Sequence, residues 1–230
     1  GTEIMKLYRY IPFETFADIV INNRLSLVSP LLWEDSYEGW FWKSIIESTK
    51  KEVAIPIKMA VNSIFALCWS KNCDSAALWS IYSYNQKAIM IETSDDILSN
   101  IPKITLREIN YTNDAHLTID EMIDLLIHPS RDSFFLPFTK KRKEFAHENE
   151  VRIFATKPNS DGIIKSISIQ INNLPMLIQN VIVHPFAPDW YIDIVKEFCK
   201  KFNVPFSGKS SLYTIDNTKL QVIETEKNSK

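Results

Sequence analysis

The sequence predicts an α+β fold: a single domain in which a curved, mostly antiparallel sheet is flanked by helices. Segments with strand periodicity and segments with helix periodicity follow one another without regular alternation, which is typical of this class. The 230 residues contain no internal repeat and no linker rich in Pro, Gly or Ser. A chain of this length can bury one full core. We therefore expect one domain over residues 1–225 and a frayed polar tail over residues 226–230.

The first half of the chain is expected to contribute four strands and three helices. Pro12 ends the first strand, and apolar residues then recur at helical spacing from Phe13 onward. Asp74 or Ser75 is a suitable N-cap for the third helix, in which Leu78, Ile81, Tyr82 and Asn85 share a face. The predicted strands cover residues 5–10, 25–29, 63–69 and 87–92, and the predicted helices begin at residue 13, cover residues 40–50 and follow the cap at residue 74 or 75.

The second half is expected to alternate less regularly. We predict that residues 148–155 and 163–171 pair with each other around a turn at residues 158–162. Pro188 suits the first turn of a last helix with a buried apolar face. The other predicted elements are a strand over 103–112, helices over 117–127 and 131–145, a short extended segment over 181–184, and one or two short strands in the tail. The buried face of the last helix is predicted to comprise Trp190, Tyr191, Ile194, Val195, Phe198 and Phe202.

Composition excludes several classes of function. The net charge of −2 provides no general attraction to nucleic acid, so a nucleic-acid partner is not expected. No apolar run reaches the roughly 18 residues that a membrane span needs. Three cysteines are too few for a disulfide framework and indicate a reducing, cytoplasmic location. Only four glycines are present, and none forms a Gly-rich phosphate loop.

The segment KKRKEFAHENEVRIFA, residues 140–155, contains the most informative charge pattern. Glu148, Glu150 and Arg152 occupy alternate positions, with Val151 and Ile153 on the opposite parity, so an extended chain places the three charges on one face. They could be an ion-paired edge strand in water, or the wall of a cleft in which Arg152 holds a functional carboxylate. The four cations at residues 140–143 are interpreted as the solvated face of a helix.

Two further segments carry candidate groups. Ser70 ends a buried strand, where a scaffold commonly displays functional side chains, although it could also simply shape the turn. Cys68 and Cys73 lack the spacing of a zinc site, and no metal site is predicted from them. Glu34, Asp35 and Glu38 follow Trp33, the best tryptophan candidate for a cleft, and could bind Mg²⁺ through water or form a polar loop. Trp79 and Trp190 are predicted to pack in the core.

Five motifs in order resemble a widespread bacterial family that is classed only as a domain of unknown function. They are LYRY at 7–10, SPLLWEDSYE at 29–38, LCWS at 67–70, LWSIY at 78–82 and ENEVRI at 148–153. The resemblance covers roughly residues 5–155. Glu34 stands where the family has Asn, and Phe145 stands where it has Trp.

A second likeness concerns function. An arginine on an early strand, a serine that ends a strand and a late Glu-x-Glu strand resemble the Arg-Ser-Glu layout of ADP-ribosyltransferases, with Arg9, Ser70 and Glu150 in those positions. The resemblance implies that Arg9 binds an NAD phosphate and that Ser70 either bonds to the nicotinamide ribose or orients the glutamate. It also implies that Glu150 holds the ribose hydroxyl and stabilises the oxocarbenium-like transition state as nicotinamide leaves. Glu148 would orient an acceptor, and Arg152 and Tyr82 complete the candidate cofactor-binding set.

These observations lead to three competing functions. The first is an NAD-using enzyme, either ADP-ribosyltransferase-like or an NAD hydrolase, with NAD as substrate. The second is a non-catalytic module of phage defence or stress response that binds a nucleotide or peptide in the same cleft. The third is a metal-dependent phosphate-handling enzyme that uses Glu34, Asp35 and Glu38. The relative positions of Arg9, Ser70 and Glu150 discriminate most sharply among them.

Overall fold

The computed structural model describes residues 3–215 and Lys227. Within them, nine strands form one mostly antiparallel sheet, in the order β11-β10-β4-β1-β3-β2-β9, with β8 pairing with β3 and β5 pairing with β8. Only β10 and β11 pair in parallel in this sheet. The strands are β1 (Lys6–Ile11), β2 (Arg24–Val28), β3 (Ile64–Ser70), β4 (Ile89–Ser94), β5 (Thr105–Glu108), β6 (Asn110–Thr112), β7 (Lys140–Arg142), β8 (Glu150–Thr156), β9 (Ser166–Gln170), β10 (Asn180–Val183) and β11 (Phe206–Lys209). Strands β6 and β7 form a separate parallel pair.

Helices pack around this sheet, so the predicted α+β class is confirmed. Most of them begin where the capping residues and apolar spacing indicate. For example, the helix at Ile119 begins with a capping box formed by Thr118 and Glu121. The α-helices are α1 (Phe13–Asn22), α2 (Trp40–Ser48), α3 (Lys51–Asn62), α4 (Ala76–Tyr82), α5 (Asp95–Ser99), α6 (Ile119–Ile127), α7 (Leu174–Leu177) and α8 (Asp189–Phe202), and 3-10 segments cover Pro30–Leu32, Asp132–Thr139 and Lys143–Glu148.

Side-chain alternation along the central strands separates two kinds of environment. Leu67 and Trp69 of β3, with Val151 and Ile153 of β8, point into the main apolar core against α1 and α8. Residues of the opposite parity face the other side of the sheet, where apolar clusters lie at its two ends. Glu150 and Arg152 also have this opposite parity, so β8 combines a fully apolar side with a charged one.

The segment after α6 differs from its prediction. Residues 131–145 do not form a continuous helix: a 3-10 segment leads into β7, and a second 3-10 segment follows. The interpretation of the cations at 140–143 as a solvated helix face is therefore wrong. Lys140 and Lys141 lie on β7 with 4% and 6% exposure, and each is ion-paired with buried or half-buried carboxylates. Buried lysines of this kind require such partners.

The predicted pairing of residues 148–155 with residues 163–171 is also wrong. Strand β8 pairs with β3 along its whole length and with β5 on its other edge, whereas β9 pairs with β2. The turn between them therefore connects non-adjacent strands. Strand β8 is consequently a central strand, which excludes the edge-strand interpretation of its charges.

Other differences are smaller. The strand predicted over 103–112 is divided into β5 and β6, and α3 has no counterpart among the predictions because Pro56 interrupts the helical pattern. In α8 the buried residues are Tyr191, Val195 and Cys199, whereas Trp190 and Ile194 are half-exposed, so their predicted burial is wrong. Ile81 and Tyr82 of α4 are also partly exposed. The predicted frayed tail, except Lys227, lies outside the described residues.

No helix among the described residues is long and apolar enough to cross a bilayer.

Trp79 and Trp190 offer a matched test of core packing. Trp79 is 2% exposed, donates a hydrogen bond from Nε1 to Asp74 at 2.7 Å and packs edge-on against Tyr10, whereas Trp190 is 55% exposed. We expect Trp79→Ala to lower the free energy of unfolding by about 3–5 kcal/mol. Trp190→Ala should cost less than about 1 kcal/mol. Urea melts of both variants measure this difference, and equal losses would contradict the assignment.

Candidate active site

A cavity lies beside residues 67–69 of β3, which have no strand partner on one edge among the described residues. On its other edge, β3 pairs with β8 over all seven residues. On this edge it has one bridge to β2, Val28↔Ala66, and one to β1, Tyr8↔Ser70. Residues 67–69 lie between these bridges, where β1 and β2 diverge. A cavity of about 260 Å³, called the inner cavity below, is lined by residues of all three strands.

The inner cavity brings together most of the residues singled out in the sequence. Of the predicted site residues, Arg9, Ser70, Tyr82, Glu148 and Glu150 line it. A second cavity of about 600 Å³, the outer cavity, adjoins it and is lined by Arg152, Lys141 and Arg142 among others. Both cavities share Trp33, Cys68, Tyr82, Glu148 and Glu150. The two carboxylates and the two aromatic rings therefore lie at the boundary between two connected compartments.

Arg9 is a cation for which residues 3–215 supply no carboxylate partner. Among the described residues it forms neither an ion pair nor a side-chain hydrogen bond, and its guanidinium carbon lies 5.7 Å from the centroid of the Trp69 ring. Burial lowers the pKa of Arg9 to about 10, so the charge is retained at neutral pH. Strand alternation would direct Arg9 toward the core beside Leu7 and Ile11. It reaches the inner cavity because β1 and β3 diverge beyond their single bridge.

Arg152, in contrast, has its charge fully matched. Its side chain is 1% exposed and lies 2.6 Å from Glu38 Oε2 and 2.5 Å from Glu150 Oε2, measured from Nη1 and Nη2. Nη1 also donates to the Phe138 carbonyl at 2.8 Å, and the guanidinium carbon lies 4.2 Å from the Trp33 ring centroid. These contacts hold Glu150 in one orientation at the cavity wall.

Lys141 connects the same acids from the opposite side. Its ammonium forms an ion pair with Glu148 and lies 3.4 Å from Glu38 and 3.6 Å from Glu150. Burial alone would lower the pKa of Lys141, but the three carboxylates around it outweigh burial and raise the pKa. Two cations and three acids thus form one buried charge network of Glu38, Lys141, Glu148, Glu150 and Arg152.

The two glutamates at the cavity wall differ in their protonation. Burial raises the pKa of Glu148 above its ordinary value, against the attraction of Lys141. Burial acts in the same direction on Glu150, but Arg152 and Lys141 outweigh it and hold the pKa of Glu150 below its ordinary value. Glu150 is therefore a fixed anion at neutral pH, while Glu148 titrates closer to neutrality. Two carboxyls whose environments push their pKa values apart are suited to different roles.

Ser70 has a structural task in this arrangement. Its hydroxyl donates to the Glu148 carbonyl at 2.6 Å and accepts from the Asn72 amide at 3.0 Å. It thereby fixes the end of β3 to the turn that leads into β8, in which Asn149 adopts a left-handed conformation with φ 45°. The Tyr111 hydroxyl accepts from the Glu150 amide at 2.8 Å and supports the same turn.

The acids after Trp33 are placed next to cations rather than around a free site. Glu38 belongs to the charge network, and Asp35 Oδ1 lies 3.2 Å from Arg142 Nη2. Glu34 is exposed at the rim of the outer cavity. No group of three His, Cys, Asp or Glu side chains in the described part of the chain is placed to hold a metal ion. This geometry gives no support to the metal-dependent hypothesis.

Two members of the site, Lys141 and Glu38, were not assigned to it from the sequence in these roles. The signal for Lys141 is the close spacing of a cation run and a Glu-x-Glu pair, since buried acids need neighbouring cations. Glu38 carries no comparable signal, because it reaches the network from a segment distant in sequence.

Comparisons with known proteins give few matches. No family model and no curated protein matches the chain. Two solved structures of Thermus sp. 2.9 DarT, one in complex with carba-NAD⁺ and one with NAD⁺, each align at 10% identity with a TM-score of 0.43. The first alignment covers 91% of this chain and 97% of that chain, and the second covers 90% and 95%. A likeness of this size does not support a statement on fold or function. The resemblance to the family of unknown function stays a prediction.

The charge network predicts a large difference between two neighbouring arginines. Arg107 lies opposite Arg152 in the β5–β8 ladder, but its contacts, an ion pair with Asp132 at 3.4 Å and a bond to the Leu106 carbonyl, are exposed. We expect Arg152→Ala to cost about 3–5 kcal/mol of unfolding free energy, because Glu38 and Glu150 lose their buried counter-charge. Arg107→Ala should cost less than about 1 kcal/mol. Denaturant melts measure both, and a loss below about 1 kcal/mol for Arg152→Ala would show that the network does not stabilise the fold.

Proposed function

We propose that the two cavities bind NAD and that the protein is an ADP-ribosyltransferase-like enzyme or NAD hydrolase. One observation carries this proposal: Arg9, which has no carboxylate partner among the described residues, lines the same cavity as the Glu148–Glu150 pair. Arg9 is half-buried, and a charge withdrawn from water without a counter-charge is unfavourable unless a ligand supplies one. An anion-binding arginine beside a fixed carboxylate suits a substrate that is anionic at one end and becomes cationic at another.

The dimensions and the lining of the cavities support a dinucleotide. Their volumes, about 260 and 600 Å³, together lie within the range of small-molecule and cofactor sites. Arg9 would bind a phosphate of NAD through its guanidinium fork. The rings of Trp33 and Tyr82 at the boundary offer flat apolar surfaces to the aromatic bases. Burial raises the pKa of Tyr82 to about 12, so its neutral hydroxyl remains a hydrogen-bond donor.

The two glutamates would have different roles in the reaction. When the bond between ribose C1′ and the nicotinamide nitrogen breaks, its electron pair leaves with nicotinamide and positive charge develops on the ribose. The Glu150 carboxylate, held by Arg152, would stabilise that charge without reorganising. An acceptor, either water or a nucleophilic group, then bonds to C1′ and transfers its proton to the Glu148 carboxylate. The assigned base is thus the carboxyl that titrates closer to neutral pH.

One observation favours a second candidate, a non-catalytic module that binds a nucleotide or peptide. Glu150 Oε2 is already bonded to Arg152, and the Ser70 hydroxyl is engaged with backbone groups. Both residues would then only maintain the fold of a binding pocket. Such a module would bind NAD or another anion through Arg9 and release no nicotinamide. A place in phage defence or stress response belongs to this alternative.

Binding can be tested without any turnover through Arg9. We expect Arg9→Met to reduce NAD affinity at least about tenfold, since a hydrogen bond to a charged group contributes about 1.5–3 kcal/mol. Its thermal stability should be unchanged or higher, because no carboxylate loses a partner. Calorimetric titration with NAD and thermal melts provide the measurements. Arg24→Met, which removes an arginine paired only with Asp18, is the control that should retain affinity. Equal affinity in both variants would remove the anion-binding role of Arg9.

Catalysis can be tested through the glutamates. We expect Glu150→Gln to abolish nicotinamide release from NAD and to lower the melting temperature, since Arg152 keeps only Glu38 as a carboxylate partner. Glu148→Gln should affect transfer to the acceptor more than nicotinamide cleavage. Glu144→Gln, in the same 3-10 segment but exposed, is the matched control and should retain full activity.

The outcomes separate the two candidates. If the wild-type protein binds NAD but releases no nicotinamide, alone or with cell lysate as a source of acceptors, the binding-module alternative replaces the enzyme. If it does not bind NAD, the proposal fails for both, and the charges on β8 are an ion-paired structural core.

A further inference from the structure

Lys141 is a buried lysine in contact with three carboxylates. It is 6% exposed, and the short parallel pairing of β6 with β7 fixes its backbone opposite Tyr111. Its ammonium contacts Glu148 most closely and lies within 3.6 Å of Glu38 and Glu150. Among the described residues, no other cation forms an ion pair with Glu148. Arg152 serves Glu38 and Glu150 only.

We propose that Lys141 is a positioning residue that holds Glu148 beside Glu150 at the cavity wall and thereby determines that Glu148 exchanges a proton with the acceptor. The part of this inference that concerns proton exchange rests on the proposed function, because the exchange occurs in the transfer step. The holding of the two acids by Lys141 is independent of NAD. Lys141 lines the outer cavity on the side of Glu148. Because its ammonium is already paired with the three carboxylates, Lys141 acts through the glutamates and is not assigned a contact with the substrate.

The physical argument starts from two acids that face one cavity. Two carboxylates in one site repel each other, and one of them takes up a proton unless a cation lies near both. Arg152 compensates Glu150 but does not reach Glu148. Without Lys141, Glu148 would keep its burial and the repulsion of Glu150 and would lose the one cation that pairs with it among the described residues. The pKa of Glu148 would then rise further, and a smaller fraction of Glu148 would be ionised and able to accept a proton.

Other titratable groups also face Glu148 and could influence its titration. They are Arg9 of β1 in the inner cavity; Glu150 and, through the network, Glu38 and Arg152; Tyr82 of α4; Tyr111 of β6; and, at the outer cavity, Cys68 of β3 and Arg142 of β7. Arg9 forms no ion pair with Glu148 in the described part of the chain, whereas Lys141 does. The two tyrosines have raised pKa values and are neutral at physiological pH, as is Cys68. Arg142 is paired with Asp35. Lys141 is therefore the group whose removal changes the charge next to Glu148 most.

Lys140 provides a control that differs only in position. It precedes Lys141 on β7, is 4% exposed and forms one ion pair with Glu121 at 2.7 Å. It lines neither the inner nor the outer cavity. Removing its charge leaves a half-buried carboxylate without its partner and does not touch the two glutamates of the site.

The experiment is a ¹³C NMR titration of glutamate carboxyl groups in the full chain without NAD, with the Glu148 signal assigned through Glu148→Gln. We expect Lys141→Met to move the titration of Glu148 upward by about one pH unit or more. Lys141→Arg should restore it, and Lys140→Met should leave it at the wild-type position. Lys141→Gln gives a second neutral variant if thermal melts show that the Met variant is unfolded. An unmoved Glu148 titration, or an equal shift in Lys140→Met, overturns the proposal.

A second measurement links the shift to the reaction. Because Glu148 must be ionised to accept a proton, transfer to the acceptor rises as pH passes its pKa. In Lys141→Met that rising limb should move to higher pH by the same amount as the NMR titration. If the titration moves and the limb does not, Glu148 is not the exchanging group and the proposal is overturned. If the wild-type protein releases no nicotinamide, the proposed function fails, whereas the titration still decides whether Lys141 holds Glu148.

Discussion

The guanidinium of Arg152 lies on the polar side of the central strand β8, almost without solvent contact, between two carboxylates and a backbone carbonyl. A charge at this depth is tolerated only when every donor has a partner. The partners of this guanidinium come from separate segments. Glu38, from the loop before α2, and Phe138, from the 3-10 segment before β7, meet at the same point. The positions of these two segments therefore depend on the Arg152 side chain. The same contacts keep Glu150 from rotating into solvent.

The alternation of β8 explains how a stable sheet can carry this charged centre. Val151 and Ile153 are fully buried in the main core, so the apolar side of β8 fixes the strand in place. Pairing on both edges, with β3 and β5, prevents it from shifting register. A rigid backbone of this kind is what electrostatic preorganisation requires. The outer rim is built differently, from loops and short 3-10 segments.

Much of this arrangement can be predicted from the sequence, because it depends on local patterns. The alternation from Glu150 to Ile153, the end of β3 at Ser70 and the cap at Ser75 all result from residue types at short spacing. The predicted extension of this alternation to Glu148 is wrong, because Glu148 ends a 3-10 segment and Asn149 is left-handed. The surroundings of Lys141 could not be predicted in this way. A run of four cations usually indicates solvent, and only the distant Glu38, Glu148 and Glu150 make burial possible. The partners of β8 and β9 were missed for the same reason, since strand order depends on contacts between distant segments.

Within residues 3–215, single bridges on either side of residues 67–69 leave part of the central strand β3 without a partner on one edge. Such an edge can pair with another strand, and here the surrounding side chains leave room only for a small ligand. A ligand in the inner cavity would lie where backbone hydrogen bonds between β3 and its neighbours β1 and β2 would otherwise form. A ligand bound there would contact β1, β2 and β3 at once, so that its occupancy would restrict the movement of the three strands relative to one another.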